Sequence, residues 1–337
     1  MCYKLNKYKH LQKKDNYYKP NKCKYFKKTS NLFFQFQTLV AKQQSKLAFD
    51  LYENSKCMYK DTMIVYIPAF YMNKYSCNNF APELSTLARI VSIDEFAVGE
   101  SSRSKCPEKD YTFAQRTHSF KLFLSFLQEQ YSVQKFILIG NCGGIISILN
   151  YLRDTAKQEA NNINAFKHIL GIIALDVLDY TKYTFFMDML KLFDKKPYLN
   201  QKWLLASLTA INNIQEYILY NFWRIRRLLE SAHTKGKMSV DTKIVCSPDH
   251  ALDSPDDYDL SESIRPLLRH YQIPLHCLRA EHSNIRKQDL EYYKTQSYFS
   301  DTFIKGGTHP IMVELQKEFD DIFDTCKKWL QNEYNHL

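Results

Sequence analysis

Phe136-Ile137-Leu138-Ile139-Gly140-Asn141-Cys142-Gly143-Gly144-Ile145-Ile146-Ser147-Ile148-Leu149-Asn150-Tyr151-Leu152 is the stretch on which the reading of the chain turns. Phe136 to Ile139 is an unbroken apolar run, as expected of a strand buried on both faces. Five residues rich in glycine follow. Beyond them Ile145, Ile148, Leu149 and Leu152 recur at helical spacing. The pattern predicts strand, very tight turn, helix, with Cys142 at the apex. Gly140 and Gly144 leave no side chain where strand and helix pack closest. The apex backbone is expected to be strained and the thiol pushed out to the top of a sheet. A thiol at a helix N-terminus meets the positive end of the helix dipole, which favours thiolate. A glycine-rich turn holding a small buried cysteine would be written with the same five residues, so the rest of the chain has to be weighed with it.

At 337 residues the chain can hold one large α/β domain with an inserted subdomain. Hydrophobic content of 45%, with 15% aromatic, predicts a substantial core. Much of the net charge of +10 lies at the start, where Lys4, Lys7, Lys9, Lys13, Lys14, Lys19, Lys22, Lys24, Lys27 and Lys28 face only Asp15. Basic residues interleaved with Tyr suit RNA or an anionic membrane. No known nucleic-acid module follows, so nucleic acid is not an expected partner. The run also fits a mitochondrial targeting segment, although those favour Arg and Ser, and it lacks the apolar stretch of a secretory signal. A basic tail is the simplest reading. Nine cysteines, at 2, 23, 57, 77, 106, 142, 246, 277 and 326, include no C-x-x-C pair. Neither a disulfide framework nor a zinc site is expected, and a reducing compartment fits best, mitochondrial or cytoplasmic. No apolar run reaches transmembrane length.

Leu32 to Val40 and Lys46 to Tyr52 predict a hairpin that opens the sheet. Met63 to Ile67 is a buried strand running into Pro68-Ala69-Phe70. Ala81 to Leu87 fits a short helix, and Arg89 to Ile93 the next strand. Thr112 is placed to cap a helix with apolar face Phe120, Phe123, Leu124, Leu127 and Tyr131. After the Cys142 helix, Ile169 to Leu175 is another buried strand, ending at Asp176. The segment from about Leu178 to Pro266 changes character and is helical and aromatic. Arg224, Arg226 and Arg227 within it read as a solvated face. Ser247 to Ser263 reads as a returning loop. Leu275 to Leu278 and Asp301 to Ile304 are the last strands. A final helix buries Met312, Leu315, Phe319, Ile322, Phe323, Cys326 and Trp329.

Gly140-Asn141-Cys142-Gly143-Gly144 resembles the G-x-S-x-G nucleophile elbow of the α/β-hydrolases, with cysteine in place of serine as in dienelactone hydrolases. Asp94 to Ser101 resembles the D-x-x-G-x-G-x-S stretch of that superfamily, with Gly99 and Ser101 kept and Ala97 in place of the first glycine. The resemblance covers about Leu32 to Leu330. It implies a mostly parallel twisted sheet flanked by helices, with an inserted helical lid. The corresponding segments are a basic tail (1–30), a first part of the core (31–177), the lid (178–266) and a second part of the core (267–337). It also implies a catalytic site. Cys142 would be the nucleophile and His309, after the last strand, the base. Phe70 and Gly143 would give the oxyanion-hole N–H groups, although Ala69 stands where the superfamily has glycine. The superfamily's usual acid position falls on Ser283, which holds no charge. The acid is then Asp176 first, with Asp179 or Glu281 as alternatives.

No cofactor or metal is implied. The expected activity is cleavage, or acyl transfer, of an ester, thioester or lactone-like carbonyl, with an apolar acyl group as substrate. The replaced glycines and displaced acid also fit an inactive relative, kept as an accessory subunit of a larger complex, for which a mitochondrial setting is natural.

Overall fold

The computed structural model describes residues 25–69, 73–78, 80–96, 98–104, 110, 112–159, 162–176, 261–282, 290–308 and 316–335. Most of the segment expected to form the lid, residues 177–260, lies outside these. So do residues 1–24 of the basic tail.

Eight strands form one sheet: β1 (Phe26–Gln37), β2 (Gln44–Asn54), β3 (Tyr59–Ile67), β4 (Ala88–Ile93), β5 (Lys135–Asn141), β6 (Ile169–Leu175), β7 (Leu275–His282) and β8 (Phe299–Thr308). Their order is β1-β2-β4-β3-β5-β6-β7-β8. The opening hairpin pairs antiparallel, and β2 pairs antiparallel with β4. From β4 to β8 all pairings are parallel. Strand β5 therefore lies inside the sheet, between β3 and β6, which is why Phe136 to Ile139 carry no polar side chain: both faces are covered.

The two faces of β5 feed two cores. Phe136 and Leu138 pack with helices α2 (Phe113–Tyr131) and α3 (Gly143–Gln158). Ile137 and Ile139 pack with the one-turn α1 (Ala81–Leu84) and with the C-terminal helix. Helix α2 starts where expected: the Thr112 hydroxyl accepts a hydrogen bond from the Gln115 amide, and Phe120, Phe123, Leu124 and Leu127 are buried. Helix α4 (Ser261–Tyr271) runs straight across position 266, where the lid-to-core boundary was expected. Its Ile264, Leu267 and Leu268 are buried in the same core as α3. The one-turn α5 (Glu291–Lys294) leads to β8, and α6 (Gln316–Tyr334) closes the second face with Ile322, Cys326 and Leu330.

Candidate active site

Strand β5 ends at Asn141, and α3 begins at Gly143. Cys142 alone makes the turn, with φ 48° and ψ −113°. This is a backbone that L-residues rarely adopt, and holding it costs about 1–3 kcal/mol. The close approach of strand and helix explains the glycines. A Cβ on Gly140 would come within 2.6 Å of the Ile145 Cα, and one on Gly144 within 2.3 Å of the Ile67 carbonyl oxygen. The Cys142 amide donates to the Leu175 carbonyl at 3.3 Å, and the Cys142 carbonyl accepts from the Ile145 amide at 3.1 Å. The thiol is half-buried. Gly143, as the first residue of α3, contributes one of the amides that a helix N-terminus leaves without an intrahelical acceptor.

Asp176 stands on the adjoining strand end, also in the left-handed region with φ 66°. Its amide donates to the Leu278 carbonyl at 2.7 Å, and its Oδ1 accepts the Ala280 amide at 2.9 Å. One carboxylate oxygen is thus tied to the neighbouring strand, which fixes the side chain. Two strained, non-glycine residues therefore sit side by side on the carboxyl rim of the sheet. Such strain persists only where the surroundings over-determine it, and it clusters at functional sites. Glu281 is exposed, on β7. Phe70, Asp179 and His309 lie outside the described residues. Among the described residues no three His, Cys, Asp or Glu side chains come together to hold a metal ion.

The Asp94 to Ser101 stretch braces the approach to this rim. Gly99 has φ 56°, and a Cβ there would fall 2.1 Å from Asp94 Oδ2. That same oxygen accepts the Glu100 amide at 2.8 Å, while Oδ1 accepts the Lys74 amide at 2.6 Å. The Ser101 hydroxyl donates to the Asp94 carbonyl at 2.7 Å. Aspartate, glycine and serine here are one folded loop.

Sequence reasoning missed two buried charges nearby. Glu95 accepts the Ser147 hydroxyl at 2.5 Å, tying this loop to the elbow helix. Burial pushes the Glu95 carboxyl up, against the opposing pull of Arg116. Both line a cavity of about 10 Å³, room for about one water. Lys74, fully buried, lies 3.4 Å from Asp94 and 3.8 Å from Asp50 and pairs with Glu100. Burial alone would lower its pKa, but Asp94, Glu100 and Asp50 together raise it above the ordinary lysine value. Asp94 is in turn raised by burial, against the pull of Lys74. No motif or periodicity marks a buried lysine in a loop, so only the assembled fold finds it.

A central parallel sheet, helices on both faces and a strained apex residue between a buried strand and a helix define the α/β-hydrolase fold, and this chain has it. No family model matches the sequence, and no curated protein matches it. Solved structures do. One is an α/β-hydrolase enzyme from a Medee basin deep-sea metagenome library, 16% identical, with a TM-score of 0.64, covering 88% of this chain and 97% of that one. A thermophilic esterase from Thermogutta terrifontis is 12% identical with a TM-score of 0.62, over 89% and 98% of the two chains. A structure from a study of carboxylesterases of the thaumarchaeon Nitrososphaera gargenis is 12% identical with a TM-score of 0.62, over 89% and 100%. At these identities the likeness is one of fold. Among the described residues no helix is long and apolar enough to cross a membrane.

Proposed function

We propose that this chain is a hydrolase or acyltransferase that cleaves an ester, thioester or lactone-like carbonyl through an acyl-Cys142 intermediate. The observation that carries the reading is the backbone of Cys142, at φ 48° and ψ −113° between a central strand and a helix N-terminus. Nothing in packing a small cysteine requires that strain. Presenting a nucleophile above the sheet does. The solved structures of like fold that are named as esterases support the same reaction class.

In this mechanism His309 takes the proton from Cys142, and the thiolate attacks the carbonyl carbon. The amides of Phe70 and Gly143 hold the oxyanion. His309 then gives the proton to the departing alcohol or thiol, and the acyl group remains on sulfur. Water, deprotonated by His309, releases the acid, or another acceptor takes the acyl group. Asp176 orients His309, and its clamped carboxylate suits a fixed orienting role. The segment ahead of α4, residues 178–260, supplies an aromatic lid over an apolar acyl chain.

The test is turnover of a p-nitrophenyl acyl ester together with labelling by an acyl electrophile. Cys142→Ala is expected to lower kcat/KM by about 10⁴-fold or more and to abolish labelling, whereas substitution of Cys57, Cys77 or Cys326 leaves labelling in place. A folded wild-type protein that is neither labelled nor active, and that purifies within a larger particle, would instead identify an accessory subunit of a complex.

A further inference from the structure

The other end of the sheet carries a serine–histidine–aspartate hydrogen-bond chain. His276 is the second residue of β7 and pairs in register with Ser300, the second residue of β8. In a parallel pair this places both at the amino rim, away from Cys142. The His276 side chain is 6% exposed. Its Nδ1 lies 2.8 Å from Ser300 Oγ, and its Nε2 lies 2.7 Å from Asp321 Oδ2 on α6. The remaining Asp321 oxygen accepts the Thr302 hydroxyl at 2.9 Å. Ser300 is exposed, because β8 is the last strand of the sheet.

With the carboxylate ionised and the ring neutral, these contacts set one direction for each proton. An ionised carboxylate only accepts, so Asp321 requires hydrogen on Nε2. The neutral ring then offers a lone pair at Nδ1, and the Ser300 hydroxyl donates to it. Thr302 locks the carboxylate, the carboxylate locks the tautomer, and the tautomer aims a base at a solvent-exposed serine. A clamp between α6 and the sheet needs hydrogen bonds, but it does not need the donor at its outer end to be an accessible nucleophile. Such constellations are recognised by geometry and roles rather than by sequence position. Asp320 and Asp324 flank Asp321 on α6, Lys317 stands one turn before it, and the Asp301–Arg279 ion pair belongs to the opposite face of the strands. Charges of both signs surround the site, which suits a neutral donor.

We propose that Ser300 is a second covalent site, a serine activated by His276 and Asp321 that accepts an acyl group from a neutral activated ester. Ser300 Oγ attacks the ester carbonyl and its proton passes to Nδ1. The imidazolium, held by Asp321, returns that proton to the departing alkoxide or phenoxide. An acyl-Ser300 ester and a free alcohol or phenol result.

The experiment uses the full chain carrying Cys142→Ala, treated with p-nitrophenyl acetate, with peptide mapping of the acetylated residues. Ser300 is expected to be acetylated at least about tenfold faster than other exposed serines such as Ser297. The rate should vanish in Ser300→Ala and fall to the background in His276→Gln and Asp321→Asn. Acetylation of Ser300 at the rate of Ser297, or a rate unchanged by His276→Gln in a folded variant, overturns the proposal. Because His276 is buried and its loss can unfold α6, a second variant leaves the clamp intact. Ser300→Cys should be alkylated by iodoacetamide with a pH midpoint well below that of an ordinary thiol, and an ordinary thiol profile there also overturns it.

Discussion

Cys142 and Gly144 show how a single backbone position can be both costly and required. The strain at residue 142 is tolerated because α3 begins directly behind it and packs its apolar face into the core. That packing demands contact between Gly144 and the end of β3. The atom a new Cβ would strike is a backbone oxygen, Ile67 O at 2.3 Å, so no rotamer change relieves it. Gly144→Ala is therefore expected to destabilise by about 1–3 kcal/mol, read as a lowered urea midpoint. It should also weaken acyl labelling of Cys142 by shifting α3 away from the sheet. The glycine spacing made this turn legible in the sequence. The left-handed backbone of Asp176 was not, since nothing in an apolar run ending in aspartate distinguishes a strained strand end from an ordinary one.

Elements whose ends are set by their own side chains are legible in the sequence. The α2 start depends on one hydroxyl, so Thr112→Ala should cost about 1 kcal/mol, visible as a lower thermal midpoint with unchanged labelling of Cys142. Elements whose extent is set by neighbours are less legible. Strand β1 was expected over Leu32 to Val40 but spans Phe26–Gln37, with a register break between Thr29 and Leu32 and Asn31 at φ 61°. Its extent follows β2, with which it pairs out to Asn54, and not its own alternation. The loop expected over Ser247 to Ser263, from its acids and two prolines, overlaps the first three residues of helix α4, whose Ile264, Leu267 and Leu268 complete the core beneath α3. Gly171 is a single glycine inside the apolar run of β6, with no turn signal around it. It is the only residue type that clears the Trp329 ring of α6, 2.3 Å from where a Cβ would lie.

Across the molecule, buried charge joins parts that are distant in sequence. Lys74, in the turn after β3, meets Asp50 of β2 and Asp94 after β4, and Asp50 also pairs with Lys28 of β1 at 2.8 Å. The antiparallel hairpin is thereby fastened to the parallel part of the sheet. Lys74→Met would leave Asp50 and Asp94 buried with their shared cation gone, at a cost of about 3–5 kcal/mol, measured by denaturant unfolding at neutral pH. The pH dependence follows from the direction of the lysine shift. Its folded pKa is raised above the ordinary 10.5, so its contribution is whole below that value and is lost as pH climbs through the folded one. Wild-type stability should fall on that alkaline limb, and Lys74→Met should flatten it.

By itself the sequence determined the alternation of buried strands with amphipathic helices and the sharp turn at Cys142, because periodicity and glycine spacing are local properties. Hydrophobic runs cannot say which strand lies beside which, since every buried strand looks alike to its neighbours. Tertiary structure alone decided the strand order, the pairing of Lys74 with its carboxylates, the tie between Glu95 and Ser147, and the alignment of Ser300, His276 and Asp321. A buried polar side chain is stable only beside its partner, and partners drawn from separate elements meet only once the sheet has closed around them.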